Sequence, residues 1–275
     1  MSGISIDPNQ AQRVRQELNL QNTINSIKHT IAIQSGKGGV GKSTITLNLA
    51  IAFVEQGYKV GIMDADITGP SIPILAGLAG QDILVRDNKI IPNEVQGVKI
   101  VSMDLLLKYD TPVVWRGPLK MAAIRQFLAD VNWGELDFLF IDLPPGTSDE
   151  PLTIAQIFKN ISGTVIVTTP QLVAVHDVKK SIGFASKVGM RILGIIENMS
   201  GLNCPNCNHH LEIFSKGGGK KAAEELGLVF LGAIPLLPNV VKEGDDGKPS
   251  YSIQGEFRDS FSLITEKISK LLQLK

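Results

Sequence analysis

The chain is short of cysteine, has no excess of either charge and contains no long apolar run. Among its 275 residues only Cys204 and Cys207 are cysteines, too few for the disulfide framework of a small secreted domain. Lysine plus arginine number 27 and so do aspartate plus glutamate, a balance that argues against a broad nucleic-acid surface. No apolar stretch approaches the roughly 20 residues of a spanning helix. Met1 to Leu20 also lacks the apolar core of a signal peptide, so a cytoplasmic protein with no stable membrane insertion is expected. No internal repeat or low-complexity block appears. What remains, 43% hydrophobic and 20% charged residues, is the composition of a globular chain long enough for one large core.

Short apolar runs alternate with helical patterns. Strands are expected at Thr30 to Gln34, Lys59 to Met63, Val98 to Met103, Phe138 to Ile141, Thr164 to Thr168, Ile192 to Ile196 and Val229 to Ile234. Helices are expected at Ser43 to Glu55, Leu119 to Leu128, Leu152 to Phe158, Val173 to Val188 and Lys220 to Leu226. Alternation of this kind predicts an α/β three-layer sandwich, a mostly parallel central sheet flanked by helices. Asp82 to Pro92, with Asp87-Asn88 at its centre, reads as a surface hairpin. Residues 1–28 read as an extension with a short helix near Ala11 to Leu18, and 29–275 as a single domain.

Gly36-Lys37-Gly38-Gly39-Val40-Gly41-Lys42-Ser43-Thr44 follows the first strand and opens the first long helix of that domain. Gly36, Gly41, Lys42 and Ser43 match the phosphate-binding spacing G-x-x-x-x-G-K-[ST]. Glycines let backbone N–H groups wrap phosphates, the helix N-terminus favours their charge, and Lys42 is long enough to reach them. Ser43 is then placed to hold magnesium. Lys37 is additional, a mobile charge suited to neutralising negative charge during phosphoryl transfer.

Two further strands end in acids. Val60 to Met63 runs into Asp64-Ala65-Asp66, and Phe138 to Ile141 runs into Asp142. In an open parallel sheet these tips share the rim where ligands bind. Asp66 is the acid expected to orient an attacking water, and Asp142 the one expected to bind magnesium. Leu143-Pro144-Pro145-Gly146-Thr147 follows directly, with Gly146 a candidate γ-phosphate sensor.

The C-x-x-C pair leaves alternatives open. Cys204 and Cys207 suit a thioredoxin-like redox pair, a zinc site completed by His209 or His210, or half the ligand set of an iron-sulfur cluster. A four-iron cluster or tetrahedral zinc typically needs four ligands; two copies of the chain supply four cysteines.

The string Lys37 to Thr44 resembles the deviant Walker A loop of the MinD, ParA and nitrogenase iron protein class. Asp64 to Pro73, Trp115-Arg116-Gly117-Pro118, Asp142 to Thr147 and Glu197-Asn198-Met199-Ser200-Gly201 up to Cys207 resemble its Mrp/ApbC branch. That resemblance implies an ATPase that dimerises around ATP, with Lys37 reaching the partner's nucleotide and Lys42 and Asp66 joining it in catalysis. It implies an iron-sulfur cluster, of the 4Fe-4S kind, shared through Cys204 and Cys207 and passed to recipient apoproteins. It further implies adenine contacts from Asn198 and the segment containing Pro235 and Leu236, and an interface position for Arg116. Many members carry an additional N-terminal domain, for which residues 1–28 are too short. Two other uses of the core are a MinD/ParA-like positioning ATPase on membrane or DNA and a zinc-bridged dimeric ATPase. The first would use the C-terminal stripe Phe261, Ile264, Ile268, Leu271 and Leu272 as an amphipathic membrane helix, but the stripe follows the last strand directly and is expected to be a terminal helix packed on the sheet.

Overall fold

All seven apolar runs read as strands join one sheet. The computed structural model describes residues 8–66, 69–102, 105, 117–146, 149–159, 161–204, 206–207 and 209–274. The chain runs α1 (Pro8–Asn25), β1 (Ile27–Ser35), α2 (Lys42–Glu55), β2 (Val60–Asp64), α3 (Ile72–Leu75), β3 (Leu84–Arg86), β4 (Lys89–Ile91), β5 (Asn93–Val95) and β6 (Val98–Ser102). It continues α4 (Gly117–Asp130), β7 (Leu136–Asp142), α5 (Asp149–Ile157), β8 (Gly163–Thr168), α6 (Leu172–Lys187) and β9 (Ile192–Asn198). Last come β10 (Leu202–Asn203), β11 (His210–Leu211), α7 (Gly218–Leu226), β12 (Phe230–Ile234), α8 (Pro238–Asp245) and α9 (Glu256–Leu271).

The main sheet has the order β12-β9-β8-β1-β7-β2-β6-β5, parallel except for β5 at its edge. Its inner strands are buried on both faces, and alternation assigns each side chain to a layer. On β7, Phe138 and Phe140 join the layer under α2 and α9, while Leu139 and Ile141 join the layer under α4 and α5. Phe53 of α2 sets its ring, tilted, 4.4 Å from that of Phe138 and 5.7 Å from that of Phe140. The register sets Asp64 beside Asp142, so both acidic strand tips meet on one rim with the end of β1.

Elements α1, β5 and α8 depart from the sequence expectation or extend it. Helix α1 covers 18 residues, longer than the single stretch around Ala11 to Leu18, because it packs on α4 and buries Leu20. Strand β5 was not expected: three residues carry too little pattern, and it forms because Gln96 (φ 49°) and Gly97 (φ 79°) fold it back on β6. Helix α8 buries none of its residues, so no apolar stripe announced it. The Asp87-Asn88 hairpin forms as expected, both residues at positive φ (51° and 58°) between the paired β3 and β4.

The C-terminal stripe is spent on the core. Phe257, Phe261, Ile264 and Ile268 of α9 are buried against α2 and β12, each worth about 1.5–3 kcal/mol relative to exposure. Among the described residues no helix is long and apolar enough to cross a membrane.

Candidate functional site

The loop between β1 and α2 is shaped by its glycines and anchored by its hydroxyls. Gly41 stands at the N-terminus of α2 with φ 79°, and a Cβ there would lie 2.2 Å from Asn198 Nδ2, so a larger residue would strain the backbone and displace the Asn198 amide. Lys42 is buried, with Nζ 2.7 Å from Oδ2 of Asp142. Ser43 Oγ donates to the same oxygen at 2.6 Å, and Thr46 Oγ1 lies 2.6 Å from Oδ1. Asp142 is fully buried and therefore meets an ammonium and two hydroxyls instead of water. This donor set, an acid at a strand tip against a helix-opening Ser, suits a hydrated divalent cation beside a phosphate.

Asp64 and Asp66 have separated roles. Asp64 is buried, accepts the Asp66 N–H at 3.1 Å and receives Ser102 Oγ at 3.3 Å. Burial, followed by the neighbouring Asp142 charge, holds its carboxyl well above the usual carboxylate range. Asp66 is half-buried, accepts the Gly69 N–H at 3.2 Å and lines the loop's cavity. An acid inside the fold and an acid on the cavity wall divide structure from chemistry.

That cavity, about 370 Å³, is lined by residues 37–44 together with Asp66 and Pro145. Lys37 donates from Nζ to Gln171 Oε1 of its own chain at 3.0 Å, at the start of α6. Gly146 (φ 82°) donates its N–H to the Ser35 carbonyl at 2.9 Å, and its own carbonyl receives Gln34 Nε2 at 3.2 Å. The loop after β7 is therefore tied to the root of the phosphate loop. A second cavity of about 210 Å³ shares Gly41 and Thr44 with the first and is walled by Asn198, Pro235, Leu236 and Leu237. Asn198 Nδ2 donates to the Val40 carbonyl at 2.9 Å. A largely apolar cavity adjoining a glycine- and lysine-lined one suits the base and the phosphates of a nucleotide.

Cys204 and Cys207 stand apart from this cavity, in the hairpin of β10 and β11 that follows β9. Both are free thiols; Cys204 is half-buried and Cys207 exposed. N–H groups of Asn206 and Cys207, and the Cys207 side chain, hold the Cys204 thiol below its ordinary pKa. His210 Nδ1 is engaged with Asn203 Oδ1 at 2.8 Å, and among the described residues no three His, Cys, Asp or Glu gather as a metal site. The chain by itself presents two thiols.

The structure brings Lys37, Lys42, Ser43, Thr44 and Asp66 around one cavity, Asn198, Pro235 and Leu236 around its neighbour, and Asp142 behind Ser43. Gly146 sits at the edge, and the thiols lie on a separate hairpin. Arg116 and Thr147 lie outside the described residues. The sequence assigned no site role to Thr46, Gln34, Gln171 or Glu197, the last entering only within the string Glu197 to Gly201. Thr46 lies one helical turn after Lys42 and was legible from spacing, whereas the other three meet the site only through β1, β8 and β9 folding side by side.

A family model described as ParA, NUBPL iron-transfer P-loop NTPase, matches residues 26–270. An iron-sulfur cluster carrier protein of Methanocaldococcus jannaschii is 49% identical over 263 residues, 95% of this chain and 91% of its own. A cytosolic Fe-S cluster assembly factor NUBP2 homolog of Culex quinquefasciatus is 46% identical over 254 residues, 90% of this chain and 98% of its own. Among solved structures, a nucleotide-binding protein of Archaeoglobus fulgidus in complex with ADP superposes with a TM-score of 0.77 at 40% identity, covering 89% of this chain and 96% of its own.

Proposed function

The chain belongs to the family of ParA-like NUBPL iron-transfer P-loop NTPases, and from that premise we propose that it is a homodimeric, ATP-hydrolysing iron-sulfur cluster carrier. In this reading residues 29–275 form the ATPase domain and 1–28 an extension of it. The carrying observation is the free Cys204 and Cys207 pair on the excursion from β9, whose last residue, Asn198, touches the phosphate loop. Two thiols with no third ligand gathered beside them among the described residues suit a cluster, of the 4Fe-4S type, held between two copies and delivered to recipient apoproteins. The relatives' names, one of them cytosolic, support the carrier role and a cytoplasmic setting.

The nucleotide cavity fits ATP with magnesium, judged by its buried acid and hydroxyl set. Bound magnesium would neutralise phosphate charge and orient the phosphates for in-line attack. Ser43 and Asp142 are the residues to hold it. Lys42 and the N–H groups of residues 38–44 bind phosphate, and Asn198, Pro235 and Leu236 line the base pocket. Asp66, on the cavity wall, orients the water and takes its proton. Lys37 leaves Gln171 to stabilise charge on the nucleotide of the partner subunit, the role an arginine finger plays elsewhere. Gly146, hinged at positive φ between Gln34 and Ser35 contacts, reports the state of the phosphates to the loop after β7.

Anaerobic reconstitution with iron and sulfide, followed by absorption and iron counting, tests the proposal. Iron should bind to the wild type and be lost in Cys204→Ser and Cys207→Ser, with ATP affinity spared. Stoichiometric zinc retained in place of iron would overturn the carrier reading in favour of a zinc-bridged dimer.

A further inference from the structure

Glu197 is buried one residue before the end of β9, and both of its carboxyl oxygens are used. Oε1 accepts Ser200 Oγ at 2.7 Å, and Oε2 accepts the Gly219 N–H at 2.6 Å. Ser200 opens the excursion that carries Cys204 and Cys207, and Gly219 lies in the first turn of α7, where that excursion closes. One carboxyl group therefore clasps both ends of the cysteine-bearing segment, residues 199–217. Gly217, at the N-cap position of α7, has no side chain with which to satisfy the helix, so Glu197 also supplies the acceptor that this end requires.

The clasp is connected to the nucleotide cavity on two sides. Asn198, the next residue, donates to the Val40 carbonyl within the phosphate loop. Gly201, just beyond Ser200, accepts the N–H of Leu236, a wall residue of the base pocket, at 2.8 Å. A shift of the phosphate loop or of the Pro235-Leu236 segment thus reaches the root of the cysteine excursion through groups in direct contact. Buried and doubly bonded, Glu197 has little freedom to absorb such a shift by turning.

We propose that Glu197 is a positioning residue that couples the nucleotide loop to the cysteine hairpin by holding the two ends of that hairpin's excursion together. The purpose of the coupling rests on the carrier reading, since it assigns the thiols their cargo. Its existence does not, because thiol geometry can be read without any iron.

The test measures alkylation of Cys204 and Cys207 by iodoacetamide in the iron-free full chain, followed by mass spectrometry, with and without magnesium and a slowly hydrolysed ATP analogue. In the wild type the nucleotide should change the rate by about fivefold or more, the lower end of ordinary allosteric coupling. Glu197→Ala should lose that response while still binding the analogue. Glu197→Gln, whose carbonyl can accept from Gly219 and whose amide can donate to Ser200, should retain it. Should Glu197→Ala fail to fold, Ser200→Ala cuts one arm of the clasp and should reduce the nucleotide response. A wild type without a response, or a folded Glu197→Ala or Ser200→Ala variant with the full response, overturns the coupling. Failure of the wild type to bind iron on reconstitution would instead strike the carrier reading and leave the alkylation result standing.

Discussion

Lys42 and Asp142 form a buried ion pair 2.7 Å across that joins the phosphate loop to the tip of the neighbouring strand β7. The pair helps the loop hold its shape: the Lys42 ammonium has a partner inside the fold, and the buried Asp142 carboxylate has its donors. Breaking one half leaves an uncompensated buried charge. Asp142→Ala should therefore lower the stability of the nucleotide-free protein by about 3–5 kcal/mol, read by urea unfolding, and abolish magnesium-dependent turnover. A variant as stable as wild type would show that the pair is not held as described.

Lys37 is held by Gln171 of its own chain, at the mouth of the cavity and not behind it. In the proposed role, Lys37→Ala removes a charge used in transition-state stabilisation and not in binding. Turnover should fall by about a thousandfold, as for loss of an arginine finger, with ATP affinity changed far less in equilibrium titration. Unchanged turnover would remove its catalytic role.

Asp64 carries a pH signature of its own. Its folded pKa is raised, chiefly by burial and then by Asp142, so the native state binds the proton more tightly than the unfolded chain does. The stability it contributes is present below the unfolded carboxylate value and is lost as pH rises through the higher folded value. Asp64→Asn has no proton to lose, so its stability relative to wild type should improve on going from acid towards that folded value and level off above it. Urea unfolding of the two nucleotide-free proteins across pH checks this, and a difference that does not vary with pH would contradict the assignment.

Cys204 should react as a thiolate at lower pH than an unstructured cysteine, because N–H groups of Asn206 and Cys207 stabilise its anion. The midpoint of its alkylation rate against pH, followed for this residue alone by mass spectrometry, should lie below the midpoint of the same residue in urea-unfolded protein. Coincident midpoints would mean that the hairpin does not preorganise the thiolate.

Much of this protein was legible because its signals are local. The strands declared themselves as apolar runs, the phosphate loop as glycine and lysine spacing, and the Asp87-Asn88 turn as two residues that tolerate positive φ. Strand β5 and helix α8 were not legible, the one too short and the other without a buried face. Asp66 was singled out over Asp64 from its place two residues further along the strand tip. The fold supplied the neighbours, setting Asp64 inward beside Asp142 and Asp66 on the cavity wall.

The sequence by itself determined the order of elements, the phosphate loop and the unmatched cysteine pair, because each depends on residues within a few positions of one another. The tertiary structure decided which groups meet across the sheet: Asp142 with Lys42, Gln171 with Lys37, and Glu197 with both ends of the cysteine excursion. Those contacts follow from strand order and register, which bring chain-distant tips onto one rim, and no local pattern encodes that neighbourhood.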